Sequence, residues 1–151
     1  THPIIVLRSF GKFYGLAGAR LGFAIAAQAT AARLRDLLGP WAVSGPALGI
    51  GAEALADTAW RDAMRRRLGK ESQRLDGLIR QTGLNACGGT FLYRFVRDRR
   101  AASLHRMLGE AGIATRAFDA LPDALRLGLP ADEDGWRRLE GAFSRWTRGT
   151  E

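Results

Sequence analysis

The chain has 151 residues, 46% of them hydrophobic, which suffices for a buried core and excludes a disordered linker. No uninterrupted apolar run approaches the about 18 residues that read as a bilayer span, so no membrane association is expected. Lys+Arg total 23 against 15 Asp+Glu, a net charge of +8, but the excess is scattered arginine whose tightest run, Arg65-Arg66-Arg67, falls on a polar helix face, so no nucleic-acid partner is expected.

Ile4 to Leu7 is a short β-branched apolar run, of the kind buried on both faces of a parallel α/β sheet, and predicts the first strand. Residues 8–22 then set Gly11, Gly15, Gly18 and Gly22 among Ser9, Lys12 and Arg20, a loop built for close backbone approach. Leu21 to Ala27 predicts a second strand, Thr30 to Gly39-Pro40 a helix, and Gly45 to Ala56 another. Asp57-Thr58 caps a long helix with an apolar stripe of Trp60, Met64, Leu68, Leu75, Leu78 and Ile79, stopped at Gly83.

Beyond Gly83 the elements shorten. Phe91 to Val96 predicts a strand, Ala101 to Ala111 a helix with Leu104 and Leu108 inward, and Ile113 to Ala117 and Leu125 to Leu129 two more strands, the last ended by Pro130. The final helix begins at Asp132 to Asp134, with acids at its positive end and Arg145 and Arg148 at its negative end, and buries Trp136, Leu139, Phe143 and Trp146. The expected organisation is the end of a large parallel sheet over 1–30, a helical connector over 31–57 and a small α+β domain over 58–151.

The glycine-rich loop is not a nucleotide phosphate loop, because Val6 stands where its first glycine belongs and Phe13, not Ser or Thr, follows Lys12. Gly49-Ile50-Gly51 imitates a dinucleotide fingerprint by chance, since Ser44-Gly45-Pro46 before it is no strand. Cys87 is the single cysteine and cannot form an internal disulfide, and His2 and His105 have no Cys or carboxylate at ligand spacing. A reducing, cytoplasmic compartment and no metal are expected. The opening Thr1-His2-Pro3-Ile4 has neither an initiator Met nor a signal-peptide pattern, and a chain that opens this close to a strand is expected to be part of a longer one.

What remains is Lys12, just after an apolar strand, with Ser9 before it and Arg20 after it. An amine so placed can form a Schiff base with an aldehyde, while a hydroxyl and a guanidinium can hold a dianionic phosphate approached closely by glycine backbone. That is the set a pyridoxal phosphate enzyme needs. A solvated lysine in a flexible loop accounts for Lys12 alone but not for the three residues together.

Ser9-x-x-Lys12-x-x-Gly15-Leu16-Ala17-Gly18-x-Arg20-x-Gly22 resembles the lysine motif of class I and II aminotransferases, the fold type I pyridoxal phosphate enzymes. The resemblance covers essentially the whole chain. It implies an α/β fold corresponding to the C-terminal part of a PLP-dependent transferase, the end of the large-domain parallel sheet plus a small α+β domain. It also implies that Ser9 and Arg20 bind the phosphate of pyridoxal 5'-phosphate, that Lys12 binds its aldehyde carbon and transfers protons, and that Arg126, within Leu125-Arg126-Leu127-Gly128-Leu129, grips the substrate carboxylate.

Gly11, where histidinol-phosphate aminotransferases more often carry serine, and the stretch from Gly39 to Leu48 resemble the threonine-phosphate decarboxylase branch of cobalamin biosynthesis. A phosphorylated amino acid is then the implied substrate and a homodimer the implied assembly. Histidinol-phosphate-type transamination is the alternative reaction, and a basic non-catalytic binding module the alternative of another class. The family's N-terminal arm, its small-residue phosphate loop, the aromatic over the cofactor ring and the aspartate at the pyridine nitrogen have no counterpart in the chain, which is therefore expected to be inactive alone.

Overall fold

The computed structural model describes residues 4–148, without the side chain of Arg148; His2 and that side chain, both considered above, lie outside the description. The chain divides into two compact units, Thr1–Asp62 and Ala63–Glu151.

In the first unit β1 (Val6–Ser9) pairs antiparallel with β2 (Gly22–Ile25), from Val6 opposite Ile25 to Ser9 opposite Gly22. Two helices follow, α1 (Gln28–Leu38) and α2 (Gly45–Ala56), the second capped by Ser44, whose Oγ accepts the Ala47 N–H at 3.3 Å. The first strand lies further along than the run Ile4 to Leu7 predicts, because the backbone of Arg8 and Ser9 is drawn into the ladder opposite Phe23 and Gly22. Nor is that run buried on both faces. Ile4 and Leu7 are 75% and 77% exposed, since a two-stranded ribbon has no second layer and the described residues supply no parallel neighbour. Phe10 and Leu21, at the two ends of the connecting loop, are buried instead, against α2 at Gly51. A Cβ at Gly51 would collide with the Leu21 side chain, which is the physical use of a glycine that imitates a nucleotide fingerprint in the sequence.

The helix α3 (Thr58–Gln81) starts in the first unit, where Asp57 Oδ1 accepts the Trp60 N–H at 2.9 Å, and continues into the second. Its buried stripe begins only at Leu68 and runs through Ser72, Leu75 and Ile79, so Trp60 is not part of that core. The second unit is a four-stranded antiparallel sheet, in spatial order β3 (Ala86–Thr90), β4 (Tyr93–Arg97), β6 (Leu121–Gly128), β5 (Arg116–Phe118). Val96, Leu125 and Leu127 turn one face of it to a core completed by Leu75 and Ile79 of α3, Leu104 and Leu108 of α4 (Ala101–Glu110), and Trp136, Leu139 and Phe143 of α5 (Glu133–Arg148).

Strand β3 has no predicted counterpart. Ala86-Cys87-Gly88-Gly89-Thr90 has no alternating apolar pattern, and it joins the sheet by backbone pairing with β4, with a register shift between Ala86 and Gly88. Phe91 and Leu92, predicted as strand, form the turn between the two. Arginines tie the layers: Arg74 reaches Glu133 at 2.7 Å and Glu140 at 2.8 Å on α5, with its guanidinium carbon 4.4 Å from the Trp136 ring centroid, and Arg94 on β4 holds Asp76 on α3 at 2.5 Å.

Asp98, just before α4, accepts from Arg100 at 2.8 and 2.9 Å, and that hydrogen-bonded guanidinium holds its carboxyl down to about 2 against the opposing effect of burial. A carboxyl so depressed stabilises the fold above its unfolded value of 3.8 and loses that contribution as pH falls through about 2. Urea midpoints of the wild-type chain and Asp98→Asn should therefore differ at neutral pH and converge over that interval; a gap independent of pH would remove the ion pair as its cause. Amide exchange should also separate the units, with Val6 to Ser9 exchanging far faster than Val96 or Leu125, because only the second strand set is covered by helices.

Candidate functional site

The loop that joins β1 to β2 is held by its own backbone. Phe10 N–H donates to the Leu21 carbonyl at 3.2 Å, Leu16 N–H to the Phe10 carbonyl at 3.0 Å, and Gly15 N–H to the Lys12 carbonyl at 3.0 Å. Lys12 thus opens a tight turn, and the chain returns through a single 3₁₀ turn, Ala17–Ala19, to Arg20. Arg20 adopts the left-handed conformation, φ 51 and ψ 39, and its guanidinium donates to the Ala17 carbonyl at 3.3 Å. A side chain in that region costs about 1 kcal/mol or more, which the hydrogen-bonded loop offsets.

Ser9 at the end of β1 and Lys12 and Arg20 on the closed loop that follows it are all three exposed. Ser9 Oγ accepts the Gly11 N–H at 3.1 Å, which leaves its own hydrogen for an anionic oxygen. A Cβ built at Gly11 would lie 3.5 Å from that Oγ and 3.4 Å from Ala17 Cα, so a bulky side chain would fill the space over the hydroxyl. A hydroxyl, an ammonium and a guanidinium within one short glycine-rich stretch are groups of the chemistry that suits a phosphate-bearing aldehyde such as pyridoxal 5'-phosphate.

Arg126 lies in the second unit, on β6, opposite Phe95 of β4 on one side and Arg116 of β5 on the other. Its guanidinium carbon is 4.6 Å from the Tyr93 ring centroid, and that of Arg116 is 5.6 Å from the Phe118 ring, which in turn meets Phe95 at 5.7 Å. The residues Phe95, Arg126 and Arg116 are on the sheet face opposite Val96 and Leu125, so the two guanidinium groups share a surface. Arg94 and Arg97 of the same sheet are paired with Asp76 and Asp123, whereas among the described residues no carboxylate pairs with Arg116 or Arg126. Like charges facing each other across a ladder are destabilising, and guanidinium groups without carboxylate partners keep donors free for an anion.

Arg116 was not among the residues that sequence reasoning selects. It faces Arg126 only through the β5–β6 register, and both strands begin and end elsewhere than their apolar runs predict. Among the described residues no cluster of His, Cys, Asp and Glu is placed to hold a metal ion, and no helix is long and apolar enough to cross a membrane. His105 is engaged through Nδ1 with Thr115 Oγ1 at 2.6 Å.

The sequence profile of aminotransferase class I and II matches residues 1–137. The chain belongs to that family. It is 49% identical over 140 residues to threonine-phosphate decarboxylase of Pseudomonas aeruginosa, covering 93% of this chain and 42% of the relative. It is 34% identical over 142 residues to histidinol-phosphate aminotransferase of a Jannaschia species, covering 90% of this chain and 39% of the relative. Among solved structures, histidinol-phosphate aminotransferase of Sinorhizobium meliloti in complex with pyridoxal-5'-phosphate superposes with a TM-score of 0.75 at 23% identity, over 97% of this chain and 42% of that one. The fold is thus that of a portion of a PLP-dependent transferase, and the family's enzymes depend on pyridoxal phosphate. The chain spans about two fifths of the length of the curated relatives it matches.

If Arg116 and Arg126 form an anion site, removing one should relieve repulsion and weaken binding together. Arg116→Gln should raise the unfolding free energy by about 0.2–1 kcal/mol in low salt. Inorganic phosphate should raise the melting temperature of the wild type by more than that of the variant; equal shifts would mean that the pair binds no anion.

Proposed function

We propose that the chain is the lysine-bearing portion of a pyridoxal phosphate enzyme that decarboxylates threonine phosphate, as the name of its 49% identical relative has it. The observation that carries the reading is the single closed loop with Ser9, Lys12 and Arg20, in the order and spacing of the family's lysine motif. In this reading residues 1–30 end the cofactor-binding domain, 31–57 connect, and 58–151 form the small domain, in a homodimer of the complete polypeptide within the cytoplasm.

Ser9 and Arg20 would hold the phosphate of the cofactor, by hydrogen bond and charge, and Lys12 would bind its aldehyde carbon through Nζ. Pyridoxal phosphate bound there supplies a ring that takes up the electron pair left at Cα when a bond to that carbon breaks. Arg126 would hold the substrate carboxylate and Arg116 its phosphate, two anions for two guanidinium groups without carboxylate partners. Which bond breaks depends on how Arg126 orients the carboxylate. Where Arg126 leaves the carboxylate free to depart as carbon dioxide, Lys12 Nζ would deliver a proton to Cα in its place, giving aminopropanol phosphate. Where Arg126 retains the carboxylate, Lys12 Nζ would instead take the proton from Cα, the role that a transamination of the kind named for the histidinol-phosphate aminotransferase relatives would require. A basic binding module would instead give salt-sensitive nucleic-acid binding indifferent to Lys12.

Borohydride reduction of the complete, cofactor-loaded polypeptide followed by peptide mapping should place the pyridoxyl group on Lys12. A label on Lys70 or elsewhere sinks the cofactor assignment. The same polypeptide should release carbon dioxide from threonine phosphate and leave histidinol phosphate untouched, and the reverse result would give the site to the aminotransferase reading. Arg126→Gln should lower kcat/KM by about 100-fold or more, the cost of losing a charged hydrogen-bond partner for the carboxylate.

A further inference from the structure

The rings beside Lys12 have no part in the chemistry above. Phe13 and Tyr14 are the two central residues of the turn that the Gly15 N–H closes on the Lys12 carbonyl. The Tyr14 ring stacks on Phe10 at 4.7 Å and 17° and on Trp60 at 5.6 Å and 13°. Phe13 meets Tyr14 edge-on at 5.1 Å and Trp60 edge-on at 5.7 Å. Phe10 is buried, so one end of the stack is fixed in the first unit, while Trp60 is 36% exposed and buries nothing in the stripe of its own helix. The Trp60 backbone is tied independently, through its N–H to Asp57 Oδ1 at 2.9 Å. Trp60 thus packs its side chain on the two turn residues that follow Lys12 and, among the described residues, on no other ring.

A lysine amine rides on a long flexible stem, and where it can reach is set by the backbone that carries it. Proton transfer at Cα tolerates little misplacement of that amine. We propose that Trp60 is a positioning residue for Lys12, acting through Phe13 and Tyr14 to fix the turn from which the amine is delivered. The inference rests on the reading of Lys12 as the amine that binds the cofactor.

The substitution Trp60→Ala keeps the Asp57 cap and a good helix former, and Trp60→Phe keeps a ring. In the 151-residue chain, amide exchange at Gly15 should speed up about tenfold or more in Trp60→Ala, which removes the ring pairs with both Phe13 and Tyr14, with Leu125 unchanged as the reference for global stability, and Trp60→Phe should restore most of the protection. In the complete, cofactor-loaded polypeptide, the pH midpoint of the cofactor's visible absorption should move in Trp60→Ala, and kcat should fall about tenfold with little change in KM. Unchanged Gly15 exchange, or an unchanged midpoint and kcat in Trp60→Ala, would overturn the positioning role while leaving the label on Lys12 intact. A wild-type label away from Lys12 would overturn the cofactor reading itself, and this inference with it.

Discussion

A lysine can serve as the amine of a cofactor site only if the loop that carries it has one conformation, and in this chain that constraint is met at the loop's two ends. Phe10 and Leu21 are buried against Gly51 and joined by the Phe10 N–H to the Leu21 carbonyl, so the residues between them form a closed ring of backbone with fixed ends. Ser9 on one side of the closure and Arg20 on the other inherit their places from it. Arg20, between the 3₁₀ turn and β2, is left-handed, and the side chain of an arginine is kept there at the cost of backbone strain. Few apolar side chains hold this arrangement, and both strands that flank it are exposed, so the order of the loop comes from hydrogen bonds and ring contacts more than from a core.

The second unit solves the opposite problem. Its core is continuous, drawn from a sheet and three helices, and it can carry unfavourable groups on the far face of the sheet. Arg116 and Arg126 are such groups. An anion bound between them would remove the repulsion, so the same residues that cost stability without a ligand supply affinity with one.

How much of this could be read from the amino-acid sequence follows from the kind of signal each element carries. The helix α3 is found at its observed start because Asp57 caps it with its own side chain, a local signal, and in the structure Ser44 caps α2 in the same way. Lys12, Ser9 and Arg20 are selected for a similar reason: they lie within one short stretch whose residue types and spacing carry the resemblance. The strand β3 is not, because Gly88 and Gly89 contribute no side chain and the strand exists only through its pairing with β4. Arg116 and Trp60 fail in another way. Each is placed by a partner distant in the chain, Arg126 across a ladder and Tyr14 across a turn, and periodicity assigns Trp60 to a helical stripe that begins only at Leu68.

The arginines show how a composition can mislead until each charge is followed to its partner. A net charge of +8 suggests a polyanion, but Arg67, Arg74, Arg94, Arg97, Arg100 and Arg137 are each bonded to a carboxylate, and several of these join one element to the next. Those pairs are half-exposed for the most part, and each contributes little by itself. Their use is geometric: Arg74 spans two acids and a ring, and Arg94 sets β4 against α3, so the sheet is held in register beneath Arg126. Charge that has found a carboxylate builds the scaffold, whereas Arg116 and Arg126, without one and facing each other across a ladder, give a small anion a reason to bind.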